Sequence, residues 1–217
     1  MTTRLAELDH LIVAANSLEA GMAHLEPLLG VSFAPGGRHL GFGTHNRLLS
    51  LGPEVYLELI APDPGQPELG RPRPFSLDEA WIRERIAGRP RLIHYVCRSR
   101  RLEAARTVLA PWSAAAITMR RDDLVWRITI PEDGKLPGGT ALGGVLPSLI
   151  DWGDTPHPCT RLPDLGLRLQ ALEVGAPASA MEPLRALLGE APALRLAAGE
   201  PAQCARLQSG NRTLVLD

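Results

Sequence analysis

Lysine is almost missing from this chain. Of its 23 basic residues only Lys135 is lysine, and it sits in a Pro-Glu-Asp-Gly turn, which leaves imine chemistry on a buried amine without a candidate. The formal net charge is -1 and no long basic run occurs, so the electrostatic footprint of a nucleic-acid binder is absent. No apolar stretch approaches the roughly 18 residues that a membrane-spanning helix needs. Residues 1–7 carry neither the basic nor the apolar region of a signal peptide, and the chain is therefore expected to be cytoplasmic, with neither membrane nor nucleic acid as partner. Cysteines number three, and Cys97, Cys159 and Cys204 lie far apart. An odd, scattered set reads as reduced thiols rather than a disulfide framework.

What the chain does have is an internal repeat. Residues 8–20, LDHLIVAANSLEA, lie without a gap over residues 92–104, LIHYVCRSRRLEA. Leu8 falls on Leu92, His10 on His94, and Leu18-Glu19-Ala20 on Leu102-Glu103-Ala104. Each copy reads as an apolar strand of about seven residues turning into a helix, and such a repeat constrains the fold before any single residue does. It also puts one histidine at the same point of both copies.

Taken in order, the first unit spans residues 7–62. After its opening strand, Ser17 is a good N-cap, Leu18, Met22, Leu25 and Leu29 form an apolar stripe, and Gly30 ends the helix, with Pro27 expected to kink or shorten the last turn. Residues 34–46, APGGRHLGFGTHN, read as a turn followed by a glycine-punctuated strand in which His39, Gly41, Gly43 and His45 point the same way. Strands at 48–51 and 55–61 follow. A proline-rich linker with one short helix occupies residues 63–90. The second unit, residues 91–154, repeats the first, with its last strand expected at 144–151. A degenerate third unit fills residues 165–217, with Ala171 in the slot of His10. An odd third unit is expected to pack on the outside or to pair with a second chain, which leaves a homodimer open.

Parity then assembles a constellation. His10 shares a face with Leu8 and Ile12, and Glu58 shares one with Tyr56 and Ile60, while Leu57, Leu59 and Ala61 turn towards the helix. A carboxylate inside Val-Tyr-Leu-Glu-Leu-Ile is costly to bury without a partner. That partner is either a metal ion or an arginine such as Arg47. A pseudo-two-fold axis relating the units would bring His94 towards His10 and Glu58, and two imidazoles with one carboxylate suit Fe, Mn, Zn or Ni. Where Glu58 stands in the first unit, the second offers Ser148. His45 and His39 are the candidate acid–base groups, their ordinary pKa being near neutrality. Asn46, Tyr56, Ser148, Trp126 and Trp152 are candidate substrate contacts. Trp81 and Trp112 read as packing residues, and Asp151 and His157 as caps of the joint after the second unit.

The strand, helix and three-strand repeat, with histidine on the first strand and glutamate on the fourth, resembles the vicinal oxygen chelate (VOC) superfamily. LDHLIVA, GGRHLGFGTHNRLLSLG, YLELIAPDP and LPSLIDWGDTPHP are similar to its glyoxalase-like domain proteins. The resemblance implies an α+β fold of tandem βαβββ modules forming an open, cup-shaped barrel. It implies a small-molecule enzyme of lyase, isomerase or dioxygenase type, acting through a divalent metal held by His10, Glu58 and His94 on a substrate chelated through vicinal oxygens. Ser148 departs from the acidic fourth ligand of glyoxalase I. The alternatives are a metal-free protein that sequesters a small molecule in the same cup, and a purely structural or regulatory domain.

Overall fold

In the computed structural model, residues 4–66, 69–110, 112–121 and 123–217 are described. The first unit is β1 (Glu7–Ala14), α1 (Leu18–Leu29), β2 (Ala34–His39), β3 (Thr44–Ser50) and β4 (Tyr56–Pro62). The segment α2 (Ala80–Ile86) leads into β5 (Arg91–Arg98), α3 (Leu102–Val108), β6 (Ala116–Arg121), β7 (Leu124–Thr129), the short α4 (Gly139–Leu142) and β8 (Ser148–Asp151). Then come β9 (Leu167–Ala176), α5 (Ala178–Leu188), β10 (Leu194–Ala198), β11 (Ala202–Ser209) and β12 (Arg212–Leu216).

One eight-stranded sheet, in the order β2-β3-β4-β1-β5-β8-β7-β6, carries the first two units and curves into a cup. The repeat strands β1 and β5 are antiparallel neighbours at its centre, and each runs parallel to the last strand of its own unit, β4 or β8. The registers obey the duplication: Ile12 pairs with Glu58, and Val96, its counterpart in the second copy, pairs with Ser148. Ser148 therefore occupies the place of Glu58.

Local chemistry explains α1. The Ser17 side chain accepts the Ala20 N–H at 3.1 Å, Leu18, Leu25 and Leu29 are buried, and Gly30 closes the helix at φ 74°. The helix runs through Pro27 to Leu29 without ending early. Residues 34–46 depart from a single strand. With φ of 78° and 64°, Gly41 and Gly43 build a hairpin turn that puts His39 opposite Thr44 and Arg38 opposite His45. Facing residues of an antiparallel pair share a side of the sheet, so His39 and His45 end up on opposite sides. Strand β8 likewise starts only at Ser148, because Gly143 and Gly144 turn with positive φ and Gly144 lies too close to the Ile93 carbonyl for a side chain.

Two cores follow from the curvature. Outside the cup, Leu11, Val13, Leu57, Leu59 and Cys97 pack under the helices. Inside it, Ile12, Ile60, Val96, Ile128 and Ile150 meet Phe75, Leu77, Ile82 and Ile86 from the segment between the units. The third unit joins the outer core through Leu172, Leu184 and Leu207. Its elements come in the same order as in the first two units, but its sheet is β10-β9-β11-β12, with β9 parallel to β10 rather than to the last strand.

Candidate active site

The cup interior keeps a cavity of about 50 Å³. His10, His39, Asn46, Tyr56 and Glu58 line its first-unit side, and Met119, Trp126, Ile128, Ile150 and Trp152 face them from the second. The first wall is mainly polar and the second mainly apolar, with Arg121 its charged member.

The polar wall is a chain of hydrogen bonds anchored by Asp9. The β1–β5 pairing slips between Leu8 and His10, and this irregularity leaves Asp9 without a cross-strand partner. Fully buried, its Oδ1 accepts His10 Nδ1–H at 2.6 Å, and its Oδ2 accepts Trp152 Nε1–H at 3.0 Å and His157 Nε2–H at 3.1 Å. Burial works against the charge, but the His10 and His157 hydrogen bonds outweigh it and hold the Asp9 carboxyl below the usual carboxylate range. With Nδ1–H engaged, the Nε2 of His10 faces Glu58 Oε2 at 3.5 Å. Tyr56 stacks on the imidazole, ring centroids 4.5 Å apart. Burial raises the Tyr56 phenol well above its ordinary pKa, so it stays neutral.

Glu58 is held from its other side by Asn46, whose Nδ2 donates to Oε1 at 2.6 Å. The Asn46 Oδ1 accepts Gly37 N–H at 2.8 Å and lies 3.4 Å from Arg121 Nη1. A Cβ on Gly36 would overlap Asn46, and one on Gly37 would overlap the Arg121 side chain. The paired glycines are thus the space into which those two side chains fold. His39 lies beside Asn46 and binds Thr44 Oγ1 at 2.8 Å through Nδ1. Burial lowers its pKa, with the Glu58 charge acting the other way. His45 points out of the cup, on the same side of β3 as Arg47, and Arg47 does not pair with Glu58; its Nη1 donates to the Asn46 carbonyl instead. His45 therefore has no place in the site.

His94 departs most from the sequence expectation. It lies on the cup side, diagonal to His10 across the β1–β5 seam, since His10 pairs with Val96 and Ile12 with His94. Both ring nitrogens are already taken: Nδ1–H donates to the Gly144 carbonyl at 3.0 Å, and Nε2 accepts the Ser148 N–H at 3.1 Å and its hydroxyl at 2.9 Å. Burial pushes its pKa down to about 3. Ser148 is consequently a partner of His94 and not a lining residue of the cavity, whereas Tyr56, Asn46, Trp126 and Trp152 do line it.

Two contributors escaped the sequence reading. Asp9 gives the same kind of signal as Glu58, a carboxylate within an apolar strand. Strict alternation would place it on the face away from His10, and the irregular pairing brings it back. Arg121 carried no local signal. His157 does cap a turn, its Nδ1 accepting the Cys159 N–H at 3.3 Å, and it also binds Asp9.

A family model described as a glyoxalase-like domain matches residues 8–188, most of the chain. The chain belongs to the glyoxalase-like domain family. That family is part of the VOC superfamily. Among solved structures, this glyoxalase-like protein is similar to a hypothetical protein from Staphylococcus aureus at 14% identity and TM-score 0.60, over 97% of this chain and 84% of the other. It also resembles methylmalonyl-CoA epimerase from Mycobacterium tuberculosis at 21% identity and TM-score 0.47, over 70% and 93% of the two chains. A Streptomyces coelicolor methylmalonyl-CoA epimerase variant in complex with 2-nitronate-propionyl-CoA follows at 16% identity and TM-score 0.45, over 69% and 96%. No curated protein matches significantly.

Superfamily members commonly use divalent metals, so the donor set has to be tested against one. His10 Nε2 and Glu58 supply two donors facing one space. The third expected donor, His94, offers no free nitrogen. Among the described residues no group of three or more His, Cys, Asp or Glu is arranged to hold an ion. The residues present do not fit a divalent centre as His10, Glu58 and His94 would have formed it.

Proposed function

We propose that this VOC-type protein is a small-molecule enzyme that moves a proton at a carbon next to a carbonyl group. The observation that carries the proposal is the relay Asp9–His10–Glu58, closed at both ends by hydrogen bonds and opening on a cavity whose opposite wall is mainly apolar. Asp9 fixes His10 as the Nδ1–H tautomer and leaves the Nε2 lone pair for the substrate, the orienting role a buried carboxylate gives a catalytic imidazole. His10 accepts the proton from carbon, and the electron pair moves onto the carbonyl oxygen. Arg121, which lines the same cavity, is the donor that would stabilise that oxygen, while Asn46 holds Glu58 in place. Return of the proton from either side gives isomerisation or epimerisation.

The finer alternative, metal-assisted chemistry on a substrate chelated through vicinal oxygens, needs a donor that His94 does not provide here. Compounds with vicinal oxygens still suit the pocket, since Arg121 and His10 approach it from different strands. The test is solvent-deuterium incorporation, followed by proton NMR, into a panel of 2-oxo acids and 1,2-dicarbonyl compounds. Wild-type protein should catalyse exchange that His10→Ala and Glu58→Gln lose by at least 100-fold. Exchange unaffected by both substitutions would defeat the proposal. Binding with no exchange for any member of the panel would assign the cup to sequestration instead.

A further inference from the structure

The inner cavity is much too small to be the whole binding site. Next to it, in the gap between the edge strands β2 and β6, lies an open cleft of about 690 Å³. Leu48, Arg121 and Pro158 line both spaces, so the cleft adjoins the cavity and Arg121 stands between the two. We infer that the cleft holds the apolar chain of a small amphipathic acid whose carboxylate binds Arg121. This assignment builds on the proton-transfer reading of the inner relay, because it leaves the short reacting end of the ligand pointing at His10 and Glu58.

Three features support it. First, the cleft walls are apolar: Phe33 and Pro35 on the first-unit side face Leu124, Leu162 and Leu165 on the other. Leu165, 41% exposed, adds to this apolar lining. Second, the charges are sorted. At the rim, Arg161 is matched by Asp123 at 2.9 Å. Arg121 instead reaches the Asn46 amide oxygen and lies over the Trp126 ring at 6.0 Å, and no carboxylate among the described residues pairs with it. A half-buried guanidinium in a mostly apolar cleft favours a ligand carboxylate, which it can bind through two parallel hydrogen bonds. Third, the position is built: Gly37 leaves the room that the Arg121 stem occupies against β2.

The experiment is calorimetric titration of the full chain with straight-chain alkanoates from butanoate to decanoate, and with the primary alcohols of the same lengths. The dissociation constant should fall by about fourfold for each added methylene until the cleft is filled, and each acid should bind at least tenfold tighter than its alcohol. Arg121→Gln should erase the preference for acids and keep the dependence on length. Leu165→Asp, at an exposed site where folding is not at stake, should flatten the dependence on length and keep the preference for acids. Affinity independent of chain length, or an acid preference that survives Arg121→Gln, overturns the inference. The two proposals fail separately: deuterium exchange without chain-length dependence removes the cleft assignment alone, and chain-length dependence with no effect of His10→Ala on exchange removes the relay alone.

Discussion

The first and second units are the same supersecondary structure with the same histidine, and they do opposite things with it. In the first, His10 stands between two carboxylates, with Asp9 on Nδ1 and Glu58 near Nε2. In the second, Ile93 replaces Asp9 and Ser148 replaces Glu58, so His94 stands between a backbone carbonyl and a serine. Two substitutions at equivalent positions turn an imidazole flanked by carboxylates and facing the cavity into one sealed between a carbonyl and a serine. A duplicated scaffold thus supplies equivalent geometry without equivalent chemistry: the second unit contributes a largely apolar wall, with Arg121 and the Trp152 N–H as its polar groups in place of a second histidine–carboxylate set.

The comparison can be broken, or sharpened, at four places. The largest effect is expected at Asp9. Asp9→Ala leaves three ring N–H donors without their acceptor and should cost about 3–5 kcal/mol in chemical denaturation, whereas Ile93→Val at the matching position should cost only about 0.5–1.5 kcal/mol. Equal losses would show that Asp9 anchors nothing special. Next, Glu58→Ser gives the first unit the pair found in the second. Deuterium exchange should drop by roughly 100-fold, about 2.7 kcal/mol in the barrier, while the melting temperature changes little if the loss is chemical.

The third effect concerns pH. His94 has a pKa of about 3 in the folded chain against roughly 6.5 when unfolded. Between these values the unfolded state binds the extra proton, so acidification favours unfolding. His94 should make stability fall by about 1.4 kcal/mol per pH unit below roughly pH 6.5, levelling off near pH 3. In His94→Gln that part of the slope should vanish in denaturation curves taken from pH 7 to pH 4, and an unchanged slope would mean that His94 is not held neutral. The smallest effect is Ser148→Ala. It removes one of the two hydrogen bonds to His94 Nε2 and leaves the backbone N–H in place, for a loss of about 1 kcal/mol.

How far a sequence reading reaches here is visible residue by residue. The pairing of His10 with Glu58 followed from strand parity, because side-chain alternation is a local property and the parallel β1–β4 pairing from His10 to Ala14 is regular. The correspondence of Ser148 with Glu58 was legible for the same reason. Alternation misplaces His45, because Gly41 and Gly43 adopt positive φ and form a turn rather than part of a strand. Asp9 was lost to an irregularity in pairing, which no alternation rule registers. Arg121 and the 158–165 joint reach the site only because the two sheet edges approach each other.

By itself, the amino-acid sequence determined the duplication, the α+β class, the order of the strands and main helices and the inward faces of β1 and β4, since those depend on periodicity and on residues close along the chain. Tertiary structure alone decided which histidine keeps a free nitrogen, which carboxylate orients it and where the arginine of the cleft stands. The physical reason is that a ring nitrogen's availability depends on whichever donor or acceptor packs against it. For His94 those partners, Gly144 and Ser148, come from about fifty residues further along the chain, beyond the reach of any local pattern.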